Sequence, residues 1–393
     1  MKSLLLNFSF ALATAAAVTS TAFAADPPTP PVLAIGSAVP DFSLKGIDGK
    51  THTLSEYADA KVLCLIFTCN HCPDAIAAAP RMEEIHQAYK DKGVQVVCIN
   101  SSSPMGLTPD ELGYGAHGDT YEEMTPFAKD MGFTMPYLYD GETQTLTAAV
   151  GAQATPHVFI FGKDRKLAYS GRMDDGGRKK GAVEKSYIKN ALDEVLAGKP
   201  VTEPVTRSVG CSTKWKWKQA WREKDQQAWE AKEVTVDKLD DEAAKKLRAN
   251  GAGTVRVINL WSTTCVPCMK EFPEFVDAYR RFQNRNFDFI SISMDPATDE
   301  AKVQKFLKKQ TAALSDKTKP YVDKEGRKSN NYIYSGENPD KLAEAIDKEW
   351  TGALPLTVVL SPKGEIVFRH EGQVEGVELR RQIVKALEDS GAP

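Results

Sequence analysis

Two stretches of this chain repeat one pattern of apolar and polar positions. Val257 to Trp261 is an apolar run and reads as a buried strand. Phe272, Phe275, Val276 and Tyr279 then recur at helical spacing, so an amphipathic helix follows. Cys265 and Cys268 stand between strand and helix. The same order occurs earlier, in KVLCLIFTCNHCP from Lys61 to Pro73, with Cys69 and Cys72 at the junction. Met82, Ile85 and Tyr89 continue the apolar face of that helix. Each copy later shows a proline that opens a strand and β-turn: Pro156 before HVFIFGKDRKLAY, and Pro355 before LTVVLSPKGEIVF. From first cysteine to proline is 87 residues in one copy and 90 in the other. Two such sets at matching spacing make an internal duplication.

The remaining pattern fills in both halves. Phe42 to Leu54 alternates around an Asp-Gly turn and reads as a β-hairpin. Val94 to Ile99 is a second buried strand, and Thr120 to Met131 and Val183 to Leu196 are helical. Ser101 to Asp119, rich in Gly and Ser, reads as a long loop, either a lid or a tolerated insertion. In the second half Phe287 to Met294 is a strand; Ala301 to Leu307, Pro339 to Trp350 and Val377 to Leu387 are helices. Alternating strands and helices in both halves predict α/β folds with a mixed central sheet.

The chain has 393 residues, room for two domains. Domain limits are placed at 36–217 and 234–393. A Pro-rich leader, 25–35, precedes the first domain. The charged segment 218–233, KQAWREKDQQAWEAKE, reads as a solvated linker helix whose tryptophans dock it. The net charge of −3 gives no reason to expect nucleic acid or an anionic membrane as partner. Residues 1–24 read as a signal peptide. Lys2 supplies the charge, Leu4 to Val18 the apolar core, and Ala22-Phe23-Ala24 the cleavage site. The apolar run is interrupted and short for a membrane anchor, and no later stretch is apolar enough to span a bilayer. The expectation is an exported protein, periplasmic or extracellular, where disulfides persist.

The cysteines supply the chemistry. A cysteine at a helix N-terminus meets unpaired N–H groups and the positive end of the helix dipole, which favours its thiolate. A second cysteine one turn on can close a disulfide, so both pairs point to thiol–disulfide exchange. Cys64 and Cys98 sit inside apolar strands and read as small buried hydrophobes. Cys211 is left over; it resolves a mixed disulfide or is inert. A metal site competes with the first pair. His71 lies between its cysteines and His157 follows Pro156, so Cys69, His71, Cys72 and His157 form an alternative Cu or Zn ligand set.

Both copies resemble the thioredoxin superfamily. The first is similar to the alkyl hydroperoxide reductase/thiol-specific antioxidant (redoxin) branch, on GSAVPDFSLKGIDGK at 36–50, TCNHCP at 68–73 and TPHVFIF at 155–161. VGCSTKWKW, at 209–217, resembles the tail that follows such domains. The second is similar to TlpA-type thioredoxins, on Trp261, Cys265, Pro267, Cys268, Glu271 and Pro273. The resemblance implies two tandem thioredoxin folds, with Pro156 and Pro355 in cis beside the disulfides. It implies protein thiol or disulfide substrates, an upstream electron donor, and no cofactor beyond the redox-active disulfides. Cys69 or Cys265 is then the nucleophile, and Cys72 or Cys268 the resolving thiol. Thioredoxin carries a buried acid six residues before its first cysteine; Leu63 and Asn259 stand there instead. Glu271 is the nearest candidate acid/base, against its reading as a helix-start carboxylate. Peroxidases of the redoxin branch use T-x-x-C, and Cys69 occupies the position of that Thr. The first-domain peroxidase (antioxidant) alternative loses support accordingly. His71 before Cys72 resembles oxidising members, and Pro267 before Cys268 resembles reducing ones.

Overall fold

A computed structural model describes residues 27, 29–178, 183–336 and 338–391. The signal-peptide expectation at 1–24 lies outside these residues, as do residues 25, 26 and 28 of the Pro-rich leader.

The first half contains β1 (Ser43–Gly46), β2 (Thr51–Thr53), β3 (Val62–Thr68), α1 (Pro73–Tyr89), β4 (Val94–Asn100), α2 (Tyr121–Met131), β5 (Tyr137–Tyr139), α3 (Thr145–Val150), β6 (Ala154–Thr155), β7 (His157–Phe161), β8 (Leu167–Gly171) and α4 (Tyr187–Leu196). The sheet order is β2-β1-β5-β4-β3-β7-β8. The β3, β4 and β5 strands run parallel, whereas β7 and β8 return antiparallel. Alternation along β3 feeds two cores. Val62, Cys64 and Ile66 pack with Met82 and Ile85 of α1. Leu63, Leu65 and Phe67 face Leu146 and Val150 of α3. Both faces are apolar, so β3 reads as a continuous hydrophobic run.

After β9 (Cys211–Ser212) and α5 (Gln219–Glu230), the second half contains β10 (Asp237–Leu239), α6 (Asp241–Ala249), β11 (Val255–Trp261), α7 (Val266–Phe282), β12 (Phe287–Ser293), α8 (Glu300–Lys309), α9 (Lys319–Lys324), β13 (Asn331–Tyr334), α10 (Pro339–Ile346), β14 (Leu356–Leu360), β15 (Ile366–Glu371) and α11 (Gly376–Asp389). Its sheet order is β10-β13-β12-β11-β14-β15, again parallel in the middle with an antiparallel return. Phe272, Phe275 and Tyr279 of α7 pack with Leu379 and Ile383 of α11 in one core. Ile258 and Leu260 face α6 and α10 in the other.

Two helices differ from the pattern. Ser186 caps α4 by accepting the Lys189 N–H, so that helix starts at Tyr187 rather than Val183. The α10 helix ends at Ile346 rather than Trp350 because Asp347 turns extended, at φ −157°. In the linker, α5 is mostly exposed, but Asp225 and Gln226 accept from Arg280 of α7, and Trp229 enters the second core and donates its indole N–H to Thr311 O at 2.9 Å. Trp215 is buried and stacks on Trp217, with ring centroids 4.4 Å apart.

The halves meet through the 101–119 loop. Arg380 of α11 is buried and donates to Ala116 O at 2.7 Å. Arg381 grips Asp130 of α2 with both terminal contacts near 3 Å, at 3.0 and 2.9 Å. Gly113 lies so close to α7 that a Cβ there would come within 2.4 Å of Arg281 O. Among the described residues no helix is long and apolar enough to cross a membrane.

Candidate active site

The second pair sits where β11 ends and α7 begins. Cys265 caps α7, its Sγ accepting the Cys268 N–H at 3.2 Å. Pro267 fits the first turn, where its missing N–H costs nothing. Cys265 and Cys268 form a disulfide, with Cα atoms 5.3 Å apart. Cys265 is half-buried and Cys268 fully buried. Val266 between them is 65% exposed, an apolar contact beside the reachable sulfur. The Leu354–Pro355 bond is cis, and Leu354 packs against the same core as Cys265.

Glu271 stands one helical turn after Cys268 and is buried, so it is not a surface helix-start carboxylate. Its Oε1 accepts the Asn259 amide at 3.1 Å, and its Oε2 accepts the Val374 N–H at 2.8 Å. Burial pushes its pKa up to about 7, against the pull of those two hydrogen bonds. A carboxyl that titrates there can hold or release a proton at neutral pH.

The first pair is more enclosed. Cys69 and Cys72 are both fully buried, and Cys72 caps α1 ahead of Pro73. The Thr155–Pro156 bond is cis. Thr155 Oγ1 lies 3.1 Å from Cys69 Sγ, and Thr155 O lies 3.3 Å from Cys72 Sγ. Asp119, at the end of the 101–119 loop, accepts the Asn70 N–H at 2.6 Å and bonds His71 Nδ1. Gly118 O accepts the Asn70 amide at 2.7 Å, and Tyr137 donates to Asn70 Oδ1 at 2.7 Å. The long loop therefore closes over the Asn70-His71 dipeptide. Burial opposes charge on His71, but the Asp119 carboxylate holds its pKa above the usual imidazole value.

Cys211 joins this pair from the tail. Its N–H donates to Cys72 Sγ at 3.3 Å. The thiols of Cys211 and Cys69 both turn toward Cys72 and lower its pKa, against burial. Burial, foremost, raises Cys69. The sulfur favoured as thiolate at this site is thus Cys72, at the N-cap of α1, whereas the resemblance implied Cys69 as the nucleophile. Cys64 and Cys98 are buried in the β3 and β4 core, their pKa values raised by burial, and belong to neither pair.

Metal-ligand geometry arises at Cys69, His71 and Asp119, whose ligand atoms lie within 4.8 Å of one another. His71 Nε2 is buried without a hydrogen-bond partner. His157 is not brought to this group. It accepts the Gln153 N–H, contacts Ser170 Oγ at 3.2 Å, and lies tilted against the Phe159 ring, centroids 4.4 Å apart. Burial lowers its pKa to about 4, leaving a neutral core histidine. Asp119 and Cys211 are the site members that sequence reasoning did not place. Asp119 lay in a loop without periodicity, and Cys211 lies 139 residues from Cys72.

Residues 34–187 match the Redoxin family, and residues 228–369 match the AhpC/TSA family. The chain is similar to the thiol-disulfide oxidoreductase ResA of Geobacillus thermodenitrificans, at 27% identity over 135 residues, which is 34% of this chain and 67% of that one. Among solved structures it is similar to a hypothetical protein, SMc02350, from Sinorhizobium meliloti 1021. Identity there is 31%, over 47% of this chain and 96% of that one, with a TM-score of 0.42. An uncharacterized conserved protein from Geobacillus kaustophilus gives 34% identity, over 46% and 92%, with a TM-score of 0.41.

Proposed function

The chain belongs to the thioredoxin superfamily, as a redoxin domain followed by an AhpC/TSA-family domain, and from that premise we propose an exported thiol–disulfide oxidoreductase with two CxxC centres. The observation that carries the reading is the second site: a reachable Cys265, a buried Cys268, and a buried carboxyl poised near neutral pH.

In the reduced enzyme the Cys265 thiolate attacks a disulfide of a substrate protein. A mixed disulfide forms and one substrate sulfur leaves as thiolate. Glu271 takes the Cys268 proton, and Cys268 attacks Cys265 Sγ. The Cys265–Cys268 bond forms and the second substrate thiol is released. Exposed Val266 and the backbone of Leu354 are the surfaces offered to the substrate chain. An upstream donor restores the dithiol. Cys69 and Cys72 form the other centre, in the first domain, with Thr155 as the counterpart of Leu354. Export rests on the leader at 1–24 and on the need of such pairs for a disulfide-permissive compartment.

Trapping tests this reading. Cys268→Ser removes the resolving thiol, so mixed disulfides with client proteins accumulate on Cys265. A Cys268→Ser protein that captures no thiol partner under mild oxidation contradicts it.

A second reading is favoured by the orphan His71 Nε2: Cys69, His71 and Asp119 hold Cu or Zn. Elemental analysis of chelator-free protein decides it. Stoichiometric metal, lost on His71→Ala, supports the reading; metal-free protein removes it.

A further inference from the structure

The tail that carries Cys211 lies where a partner strand belongs. The β9 strand pairs antiparallel with β6, placing Cys211 opposite Thr155. Thr155 is the residue before cis Pro156 and touches both Cys69 and Cys72. The approach is close: a Cβ on Gly210 would sit 2.0 Å from Thr155 O, and Gly210 takes φ +142°, a region that favours glycine. The tail is fixed downstream as well. Thr213 donates its N–H to Gln153 O at 3.0 Å and its hydroxyl to Ala152 O at 2.7 Å. Strand addition of this kind is how extended peptides dock on an open sheet edge. Here the chain pairs the segment before cis Pro156 with its own cysteine-bearing strand, as a two-stranded sheet.

The sulfurs follow from this pairing. Cys72, Asp74 and Cys211 bring their ligand atoms within 4.8 Å of one another, and Cys211 packs on the small apolar cluster of Cys69, Cys72 and Ala75. Cys69 and Cys72 are both 0% exposed, whereas Cys211 reaches solvent. We propose that Cys211 is a third redox cysteine of the first site, which exchanges with the buried pair through Cys72 and carries its disulfide to the surface. The proposal rests on the two-centre reading above and names the group through which the first centre meets external thiols.

The exchange starts from a Cys69–Cys72 disulfide, made by an oxidised protein or a low-molecular-weight disulfide. The Cys211 thiolate attacks Cys72 Sγ. The Cys72–Cys211 bond forms, the Cys69–Cys72 bond breaks, and Cys69 takes up the proton that Cys211 released. No electron leaves the chain in this step. A substrate thiolate then attacks Cys211 Sγ from solvent, and Cys72 departs as thiolate. Cys72 suits that departure, because it stands at the N-cap position of α1, near the positive end of the helix dipole, and accepts the Cys211 N–H.

The test uses the full-length protein in graded glutathione buffers, quenched, alkylated and digested with trypsin without reduction. Cleavage after Lys61, Arg81, Arg207 and Lys214 puts Cys69 and Cys72, with the buried core cysteine Cys64, in residues 62–81, and Cys211 in residues 208–214, so loss of the cross-link in Cys72→Ser assigns it to Cys72. The expected product is a disulfide between these two peptides in the wild type. It becomes the main oxidised form in Cys69→Ser and is lost in Cys72→Ser. Cys211→Ser should slow reduction of the oxidised first site by dithiothreitol at least about tenfold. If Cys211 stays alkylatable while Cys69–Cys72 oxidises, the relay is overturned and the two-centre reading stands. If none of the three oxidises, both fall at the first site. The wild-type measurement stands even if a variant fails to fold.

Discussion

The buried Glu271 carboxylate accepts the side-chain amide of Asn259 at 3.1 Å. Asn259 sits on β11, six residues before Cys265, where thioredoxin carries its acid. Glu271 reaches the same spot from α7. The chain keeps a buried acid one helical turn from Cys268 and supplies it from the helix instead of the strand.

Glu271→Gln tests that role. Burial raises the Glu271 pKa to about 7, so disulfide exchange at Cys265–Cys268 should show an inflection near that pH. The variant should lose the inflection and slow by about 10²-fold or more, the scale of general acid–base catalysis. The sign for stability is opposite to a salt-bridged acid. A raised pKa means the folded state prefers the protonated form, so that stability is present below the ordinary Glu value, near 4.5, and lost as pH rises through about 7. Glu271→Gln should therefore stabilise the protein at pH 8, by about 1–3 kcal/mol, and change little at pH 4. Thermal melts at the two pH values check this.

We propose that the two dipeptides order the centres. His71, whose pKa burial lowers but the Asp119 carboxylate raises on balance, lies beside Cys72, whereas Pro267 in the second pair has no titratable group. A stabilised thiolate makes the reduced form easier to reach. Potentials of about −180 mV for isomerase-type and about −270 mV for thioredoxin-type pairs set the scale, a gap of roughly 4 kcal/mol for two electrons. Electrons are expected to run from Cys265–Cys268 to Cys69–Cys72. Transfer is expected either directly between the domains or through a partner. Glutathione titration of full-length proteins keeping one pair each, with the other changed to serine, measures the order. A second-site potential equal to or above the first contradicts it.

Arg380 ties the second domain to the loop over the first site. It donates to Ala116 O at 2.7 Å and faces Glu274 at 3.0 Å. Arg380→Ala should free the 101–119 loop, seen as faster amide exchange there and several-fold faster alkylation of Cys69 and Cys72. Unchanged exchange in that loop would show that the second domain does not hold it.

Arg256 is fully buried between Asp288, at 3.0 Å, and Glu325, at 2.6 Å. Arg256→Ala strands Asp288, itself fully buried, with Arg327 as its remaining partner. The cost should be about 3–5 kcal/mol by denaturant melts, typical of breaking a buried ion pair from one side. A loss under about 1 kcal/mol, as at an exposed pair, contradicts this account.

The repeated strand, CxxC, helix and proline were legible because each leaves a local mark: an apolar run, a fixed spacing, a helical period. Short elements leave none. The β5 strand has three residues and β13 four, and both were passed over between stronger signals. Asp119 and Cys211 reach the first site through the folding of a loop and a tail, contacts that no periodicity encodes. The burial of Glu271 depends on Val374, 103 residues away, so sequence left its role open.

Insulin reduction by dithiothreitol measures the central claim most directly. The protein should accelerate it, each of Cys72→Ser and Cys265→Ser should lower the rate, and the double variant should fall to the uncatalysed background. A double variant as active as the wild type would contradict thiol–disulfide exchange at these two centres.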